Sequence, residues 1–237
     1  MDTYKIVLTG GPCGGKTKSI QFLSQKLTEL DYSVRIVDET ATELLQLGYM
    51  PNKNISIFDF QNLLFKIQFL KEYVSEGKSE IILCDRGIFD GMVYIDTDGF
   101  QKILELNRLD REKLFSTYDG VLYFRSIAYE YPDEFSKRRV YESPQVGINR
   151  DERFFRIWKE KIIPCNYNNV DGFRNKQELI YVALKNQLEF LRKIKTINLS
   201  DYYGDEHFRY ICNGIDDILT KNNISKDIKI RTRELIR

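Results

Sequence analysis

Short apolar runs alternate along the chain with longer stretches in which apolar residues recur every three or four positions. Four of the runs have the length and composition of buried strands, and they occupy residues 6–8, 34–37, 80–84 and 121–124. A fifth run, 162–166, contains Pro164, which restricts it to a strand end or an edge strand. Because helical patterns separate the runs, we predict an α/β fold of three layers, with a doubly wound, parallel, five-stranded sheet between helices.

The helical patterns each have one apolar face, as expected for helices that pack on a sheet. In the longest, 57–76, this face includes Phe60, Leu63 and Ile67, and Gly77 follows directly as a stop signal. The other patterns occupy 16–30, 41–47, 99–117 (two short helices), 153–161, 176–192 and 207–221.

One segment, 125–150, breaks this periodicity. It is rich in charged residues, has no repeating apolar spacing and follows the fourth predicted strand. Long irregular segments inside compact domains are commonly active-site lids or disordered loops. We therefore predict one domain over residues 1–193 with a lid at about 125–150, followed by a C-terminal extension over 194–237 whose role the sequence does not indicate.

The strongest motif lies where the first predicted strand meets the first predicted helix. The stretch YKIVLTGGPCGGKT has the spacing G-x-x-x-x-G-K-[ST], in the strand-to-helix context that a phosphate-binding P-loop requires. Glycines in such a loop permit positive φ and a close approach of backbone N–H groups to an anion. The predicted nucleotide-binding residues are Gly10, Gly11, Pro12, Cys13, Gly14, Gly15, Lys16, Thr17 and Lys18.

The chemistry of this loop defines the class of ligand. Lys16 can place a positive charge between the β- and γ-phosphates, and the hydroxyl of Thr17 can bind Mg²⁺. The predicted cofactors are therefore ATP and Mg²⁺, with GTP left open because the loop does not read the base. Cys13 could sense oxidation among the N–H donors, although a small residue that simply fits the loop is the more common case.

Acidic residues follow the second and third predicted strands. Asp38-Glu39 and Asp85-Arg86 should converge with the P-loop, because open parallel sheets bind ligands beyond the carboxyl ends of their strands. One carboxylate can orient Mg²⁺ and another can accept the proton of an attacking hydroxyl, while the arginine can bind a phosphate. The alternative is that both acidic ends only cap the helices that follow.

Composition argues against several classes of partner. Among 237 residues, 36 Lys and Arg face 35 Asp and Glu, so the net charge of +1 gives no reason to expect nucleic acid as a partner. No apolar run has the length of a membrane span, and we expect no signal peptide before the first strand. The four cysteines have no metal-binding spacing and suit a reducing compartment. We predict a cytoplasmic protein that acts on a small molecule, and a homodimer is left open.

Four segments together resemble the AAA_28 group of P-loop proteins. They are LTGGPCGGKT, VDETATELL, FDFQNLLFKIQFL and ILCDRGIFDG, and the resemblance covers about residues 3–192. The group is similar to the nucleoside and nucleotide kinase branch, and it includes the kinase portion of NadR-type nicotinamide riboside kinases and the nucleotide-binding portion of TRPL translocation defect proteins. The resemblance implies a P-loop NTPase fold of the nucleoside and nucleotide kinase type.

The resemblance also implies roles for residues around the nucleotide. Glu39 corresponds to the acidic residue that deoxynucleoside kinases use as general base, and Asp85-Arg86 to the acidic residue and arginine after the third strand. The string D-E-T here departs from the P-E-A that commonly ends the second strand in the group, and whether Glu39 or Asp85 is the base stays open. The predicted catalytic residues are Lys16, Glu39, Asp85, Arg86 and Arg139, and the predicted metal ligands are Thr17 and Asp85.

Acceptor binding is predicted on the long helix at 57–76. Gln61 and Gln68 fall where such kinases line the acceptor site, and an amide there can read a base or sugar edge. Arg139 and Glu142 fall near the lid element of the group, and Arg150 near its second arginine. The predicted substrate-binding residues are Glu39, Gln61, Gln68 and Arg86.

These features predict ATP- and Mg²⁺-dependent transfer of a phosphoryl group to a hydroxyl or phosphate of a small molecule of the nucleoside or nucleotide class. The alternative is a regulatory NTPase that binds ATP or GTP and acts through a protein partner. The guanine-reading motif N-K-x-D is missing, since the nearest string, 175–178, ends in Glu178. A toxin-like kinase that acts on a sugar nucleotide would share the P-loop and differ only in its acceptor.

Overall fold

A computed structural model of the protein describes residues 2–139, 142–165, 173–193 and 197–236. Its strands are β1 (Tyr4–Gly10), β2 (Val34–Val37), β3 (Ile81–Asp85) and β4 (Gly120–Phe124). Its helices are α1 (Lys16–Thr28), α2 (Thr40–Gln46), α3 (Ile57–Ser75), α4 (Thr97–Leu106), α5 (Arg111–Ser116), α6 (Pro132–Arg138), α7 (Pro144–Trp158), α8 (Phe173–Leu191), α9 (Leu199–Tyr202), α10 (Asp205–Lys221) and α11 (Lys226–Glu234). Two 3₁₀ turns, Ile88–Val93 and Ile127–Tyr129, follow β3 and β4.

The four strands form one parallel sheet in the order β2-β3-β1-β4. The central strand β1 pairs with β3 up to Leu8 opposite Asp85. On its other side it pairs with β4 up to Gly10 opposite Phe124. Every residue of β1 and β3 is buried, as expected for parallel strands that helices cover on both faces. This register brings the carboxyl ends of the strands to one edge of the sheet.

The predicted fifth strand is wrong for the described residues, where the sheet has four strands. Next to β4, the run at 162–166 makes only one bridge, in which the Ile163 N–H donates to the Val121 carbonyl at 2.8 Å. Pro164 has no N–H with which to continue a ladder, which accounts for the short pairing. The last residue of the run, Asn166, lies outside the described residues.

Helices cover the sheet on both faces, and the alternation of side chains along β1 separates two cores. Ile6 and Leu8 pack with Leu23 of α1 and Leu184 of α8. Val7 points to the opposite face, where α3 and the helices after it form the larger core. The chain therefore has the predicted three-layer α/β architecture.

The C-terminal helices pack on α3. Ile211 of α10 lies in the same apolar core as Phe69 of α3. Further along, the hydroxyls of Tyr49 and Thr232 are hydrogen-bonded at 2.5 Å, which joins α11 to the turn after α2. The segment after α8 thus contributes to the core on this side of the sheet, while the domain boundary drawn before residue 194 stays a prediction.

Part of the segment predicted as irregular, 125–150, is helical. It contains α6 and the first turns of α7, which begins earlier than the sequence pattern indicates. Ser143 accepts a hydrogen bond from the Val146 N–H at 3.4 Å, and Pro144 occupies the first turn, so the local start signals are those of a helix. Within the described residues, no helix combines the length and the apolar character needed to cross a bilayer.

Candidate functional site

The P-loop connects β1 to α1 at the edge where the strands end. Gly10 and Gly15 have positive φ values of 123° and 93°, which side chains with a Cβ rarely adopt. A Cβ on Gly10 would also overlap the carbonyl group of Phe124 on β4. Cys13 has a φ of 61°, in the same left-handed region although it is not a glycine. The loop is therefore tightly packed against the end of the sheet.

Lys16 lies buried at the start of α1 and points back over the loop. Its Nζ atom donates to the carbonyl oxygens of Gly11 at 2.8 Å and Gly10 at 3.3 Å. Burial and the neighbouring Arg86 guanidinium lower the pKa of Lys16 to about 7. A phosphate group near this ammonium would favour its charged form.

The two predicted magnesium residues are adjacent. The hydroxyl of Thr17 donates to Oδ2 of Asp85 at 3.3 Å, and Oδ1 of Asp85 is buried without a hydrogen-bond partner among the described residues. Burial and the nearby Glu39 carboxylate raise the pKa of Asp85. A hydroxyl and an unpartnered carboxylate oxygen are the hard oxygen donors that Mg²⁺ prefers, so the residues present fit this ion.

The described residues contain no group of three His, Cys, Asp or Glu side chains placed to hold a metal ion. A magnesium ion here would therefore depend on phosphate oxygens for much of its coordination, which is usual for sites that bind a nucleotide complex.

Arg86 joins the P-loop to the second strand end. Its Nη1 donates to the Gly10 carbonyl at 2.8 Å, and its Nε donates to Oε1 of Glu39 at 3.3 Å. Its guanidinium also lies over the ring of Phe154 in α7, 4.6 Å from the centroid. Burial opposes the charge on Glu39, but Arg86 and the hydroxyl of Thr42 hold the pKa of Glu39 below its usual range.

Asp90 belongs to this site although the sequence analysis missed it. In the 3₁₀ turn after β3, its carboxylate accepts hydrogen bonds from Thr9 Oγ1 at 2.7 Å and Trp158 Nε1 at 2.5 Å. Arg86 Nη1 lies 3.6 Å from the same carboxylate, whose pKa is raised by burial. The signal was present in the string D-R-G-I-F-D, whose second aspartate is Asp90.

Asp151 of α7 is a second residue that the sequence analysis missed. Its Oδ1 accepts hydrogen bonds from the backbone N–H groups of Gly11 at 2.6 Å and Ser126 at 3.0 Å. The hydroxyl of Ser126 donates in turn to the Pro12 carbonyl at 2.9 Å. One buried carboxylate therefore ties α7 to both the P-loop and the loop after β4. Nothing in the local sequence around Asp151 marks it for this contact.

A cavity of about 650 Å³ opens over the P-loop. The P-loop residues from Pro12 to Lys18, the side chains of Glu39, Asp85 and Arg86, and residues of α6 and α8 form its walls. Arg138 and Arg139 line it from the predicted lid. A second cavity, of about 570 Å³, lies beyond β4 between α7 and α8, and its lining includes no residue of the P-loop.

The remaining predicted residues differ in their placement. Arg150 does not line the P-loop cavity, and it pairs instead with Glu142 at 2.8 Å. Gln68 is bonded to protein groups on both sides of its amide. Gln61 is buried, its Oε1 has no hydrogen-bond partner among the described residues, and this atom lies near Gly91. Of the predicted substrate-binding residues, Glu39 and Arg86 thus line the cavity, whereas Gln61 and Gln68 are turned into the protein.

Three solved structures that share this fold are a thymidylate kinase, a deoxyadenosine kinase and the NadR protein. The thymidylate kinase from Ehrlichia chaffeensis has a TM-score of 0.53 at 16% identity, covering 79% of this chain and 100% of that one. The deoxyadenosine kinase from M. mycoides, solved with dCMP and dCDP, has a TM-score of 0.50 at 17% identity, covering 77% of this chain and 98% of that one.

The third structure is the NadR protein in complex with NR, with a TM-score of 0.55 at 15% identity. This match covers 84% of the present chain and 54% of the NadR chain. At these identities the three structures establish the fold, which is that of nucleoside and nucleotide kinase-like P-loop proteins. No curated protein matches the sequence.

The family comparison covers the P-loop, the acidic strand ends and the predicted lid. The model of the AAA_28 family, described as an AAA domain, matches residues 5–172, which is more than half of the chain. The chain therefore belongs to the AAA_28 family.

Proposed function

We propose that the protein transfers the γ-phosphoryl group of ATP, bound with Mg²⁺, to a hydroxyl or phosphate of a small acceptor of the nucleoside or nucleotide class. The observation that carries the proposal is the convergence of the P-loop with the carboxylates of Glu39 and Asp85 and with Arg86 on a single cavity of about 650 Å³. Phosphoryl transfer depends mainly on positioning and electrostatic stabilisation, which such a set of groups can supply. The kinase-like fold of the solved relatives supports the same class of reaction.

On this proposal, Thr17 and Asp85 hold the magnesium ion together with the phosphates. When bound, Mg²⁺ would neutralise charge on the β- and γ-phosphate oxygens. The 3.3 Å contact between Thr17 and Asp85, and the unpartnered Oδ1 of Asp85, support this assignment. Lys16 contributes a second positive charge, which the phosphates would stabilise.

Glu39 is the general base in this proposal. Its pKa is below the usual range of a carboxyl group, so it is ionised at neutral pH and can accept a proton from an acceptor hydroxyl. Asp85 is the weaker candidate, since the hydroxyl of Thr17 donates to it and the same carboxylate would hold Mg²⁺. Arg86 bridges Glu39 and the P-loop, and it would stabilise the charge on the transferring group.

The region over the cavity acts as a lid in this proposal. Arg138 and Arg139 line the cavity from the end of α6 and the residue after it, where their charge could bind phosphate oxygens. Closure of the lid would exclude water and limit hydrolysis of ATP. Residues 1–193 would form the catalytic unit, with the later helices as a structural addition.

A ligand screen followed by a transfer assay tests the proposal. The melting temperature is measured with Mg²⁺ and ATP or GTP, then with nucleosides, nucleotides and nicotinamide riboside, because ligands of the native state raise it. Acceptors that raise it are incubated with radiolabelled ATP, and transfer of label to one of them is the expected result. Nucleotide binding without transfer to any acceptor would contradict a kinase and favour the regulatory NTPase.

A further inference from the structure

The side chain of Gln68 lies between the two strand ends that carry the candidate catalytic groups. It projects from α3 and is only 2% exposed. The hydroxyl of Thr40, the residue after Glu39, donates to Oε1 of Gln68 at 2.6 Å. On the other side of the amide, Nε2 donates to the backbone carbonyl of Arg86 at 3.2 Å. One amide group therefore bridges the end of β2 and the end of β3.

The orientation of this amide is determined by its neighbours. A backbone carbonyl such as that of Arg86 can only accept a hydrogen bond, so the NH₂ group of Gln68 must face it. The same NH₂ group also donates to Oε1 of Glu72 at 2.9 Å. The oxygen of Gln68 is then left to accept from Thr40. A flipped amide would lose the bonds to Arg86 and Glu72 and keep only a contact with the Thr40 hydroxyl, which can also accept.

Arg86 needs such support because of its backbone. Its φ is 87°, in the left-handed region that residues other than glycine rarely adopt. Strained conformations of this kind persist where the surrounding structure holds them in more than one way. The Arg86 N–H donates to the Leu8 carbonyl at 3.1 Å, and its own carbonyl is held by Gln68. Hydrogen bonds therefore hold both the backbone N–H and the backbone carbonyl of Arg86, and its guanidinium is directed at Glu39 and the P-loop.

We propose that Gln68 is a positioning residue, which maintains the distance and orientation of Arg86 relative to Glu39 without contacting the acceptor. The role in transfer rests on the function proposed above, whereas the effect on the geometry of Arg86 does not. The assignment differs from the resemblance, which predicts that Gln68 lines the acceptor site.

A buried network behind Gln68 makes its position rigid. Glu72 accepts a hydrogen bond from the hydroxyl of Tyr118 at 2.9 Å and pairs with Lys5 at 3.3 Å. Lys5 is 0% exposed, and it also pairs with Glu76 at 2.9 Å. Burial opposes the charge on Lys5, but these two carboxylates raise its pKa.

The network continues into the C-terminal segment. The backbone N–H groups of Leu199 and Ser200, at the start of α9, donate to the Glu76 carboxylate at 2.8 and 3.1 Å. A continuous set of hydrogen bonds and ion pairs therefore runs from α9 to the carbonyl of Arg86. Glu72 is held by Lys5 and Tyr118 and accepts from the Gln68 amide, so this amide has little freedom.

Two substitutions test the proposal without the need for a known acceptor. Gln68→Met keeps the length of the side chain and removes both of its hydrogen-bonding groups, while Thr40→Val removes one hydroxyl at nearly constant volume. Gln101→Met, at an exposed position of α4, is the matched control. Thr40→Ser restores the hydroxyl and should restore the wild-type result. If Gln68→Met does not fold, Thr40→Val carries the test.

The first measurement is the Nε–H signal of Arg86 in nitrogen-15 NMR spectra, assigned by its loss in Arg86→Lys. The Arg86 Nε–H donates to Glu39, so we expect Gln68→Met to move this signal and to speed its exchange with water. Gln101→Met should leave it unchanged. An Arg86 signal with wild-type position and exchange in folded Gln68→Met would overturn the proposal, whatever the enzyme catalyses.

The second measurement is the separation of kcat from KM for an acceptor found in the ligand screen. A positioning role predicts a loss in kcat on the order of 10- to 100-fold, because small misplacements of catalytic groups are costly, with KM for the acceptor nearly unchanged. A rise in KM for the acceptor at constant kcat would show direct contact and overturn the proposal. If no acceptor exists, the proposed function fails, while the NMR result still decides the role of Gln68.

Discussion

The two halves of the candidate site are built differently. The nucleotide half is a loop of consecutive residues under an open cavity, with cationic side chains such as Lys16 and Arg139 on its walls. The half that we propose for the acceptor comprises Glu39, Arg86 and Asp90, whose charged groups pair with one another, as Arg86 does with Glu39 and Asp90. The first half is ready to take a charged ligand from solution. In the second, a ligand that bonds to Glu39 or Arg86 would have to replace one of these internal pairings.

This contrast has a consequence for specificity. On the proposed function, a triphosphate would meet backbone and lysine groups that suit any nucleotide, so the loop itself does not distinguish ATP from GTP. An acceptor of the proposed kind would have to replace internal bonds, and each buried polar group left without a partner has a free-energy cost of roughly 1–3 kcal/mol. Only an acceptor that satisfies these groups would be bound, so we expect the selectivity to reside in the acceptor half.

The largest effect is expected from Lys16→Ala in the nucleotide half. Loss of this charge should weaken ATP binding by on the order of 100-fold or more, since desolvated charges near phosphates are strong contacts. Isothermal titration calorimetry measures the affinity. Lys26→Ala, on the same helix, is the control, because Lys26 pairs with Glu29 at the surface. ATP affinity and activity that survive Lys16→Ala would remove the basis for the contrast between the halves.

Glu39→Gln should affect transfer without affecting nucleotide binding. It removes the proposed base while leaving the P-loop intact, so transfer should fall by on the order of 100-fold with little change in ATP affinity. Single-turnover transfer and ATP titration measure the two quantities.

Asp85→Asn should instead raise the Mg²⁺ concentration needed for half-maximal activity. A large loss of transfer in Asp85→Asn beside a nearly silent Glu39→Gln would move the base to Asp85.

Asp90→Asn should have a smaller effect within the acceptor half. The amide can still accept one of the hydrogen bonds from Thr9 and Trp158, but the negative charge beside Arg86 is lost. We expect transfer to fall roughly tenfold at nearly constant ATP affinity. Asp98→Asn, at an exposed position of α4, is the control. An equal loss of ATP affinity would mean that Asp90 supports the P-loop rather than Arg86.

The smallest effect concerns Asp151, which supports the nucleotide half. Asp151→Ala leaves the N–H groups of Gly11 and Ser126 without their acceptor and should destabilise the fold by about 1–3 kcal/mol for each buried group. Asp151→Asn keeps an acceptor oxygen and should be much milder. Urea unfolding of the two variants measures the difference.

The pH dependence of the wild type tests the same residue. Burial raises the pKa of Asp151, so the folded state binds its proton more tightly than the unfolded state does. The free energy of unfolding should therefore fall as pH rises from the unfolded pKa through the raised folded pKa. Asp151→Asn should lack this contribution. If the free energies of unfolding of the wild type and of Asp151→Asn depend on pH in the same way, the prediction is contradicted.

Much of the architecture could be predicted because it depends on local patterns. The apolar runs locate β1 to β4, and the spacing of glycines and lysine locates the P-loop in its required context. Strand ends of a parallel sheet converge, so the proximity of Glu39 and Asp85 to the loop also followed from the order of the elements. The fifth strand was wrong, since Pro164 restricts pairing more than the apolar character of its neighbours favours it.

The parts that could not be predicted depend on contacts between distant residues. Asp151 meets Gly11 only because α7 crosses the end of β1, and no local pattern records that crossing. Asp90 was visible in a motif, but its partner Trp158 lies at the end of α7. The bonds of Gln68 to Thr40 and Arg86 also join residues that are distant in sequence, and no local pattern predicts them.

The ion pairs of Lys5 also bear on how the chain folds as it is synthesised. Lys5 is made long before Glu72 and Glu76, and the amide groups of Leu199 and Ser200 that complete the network are made much later still. An unpaired charge disfavours burial, so the side of β1 that carries Lys5 cannot close around it early. We therefore expect nascent chains that stop before Glu72 and Glu76 to keep this face of the sheet exposed, and chains that stop before α9 to lack the two backbone donors of Glu76.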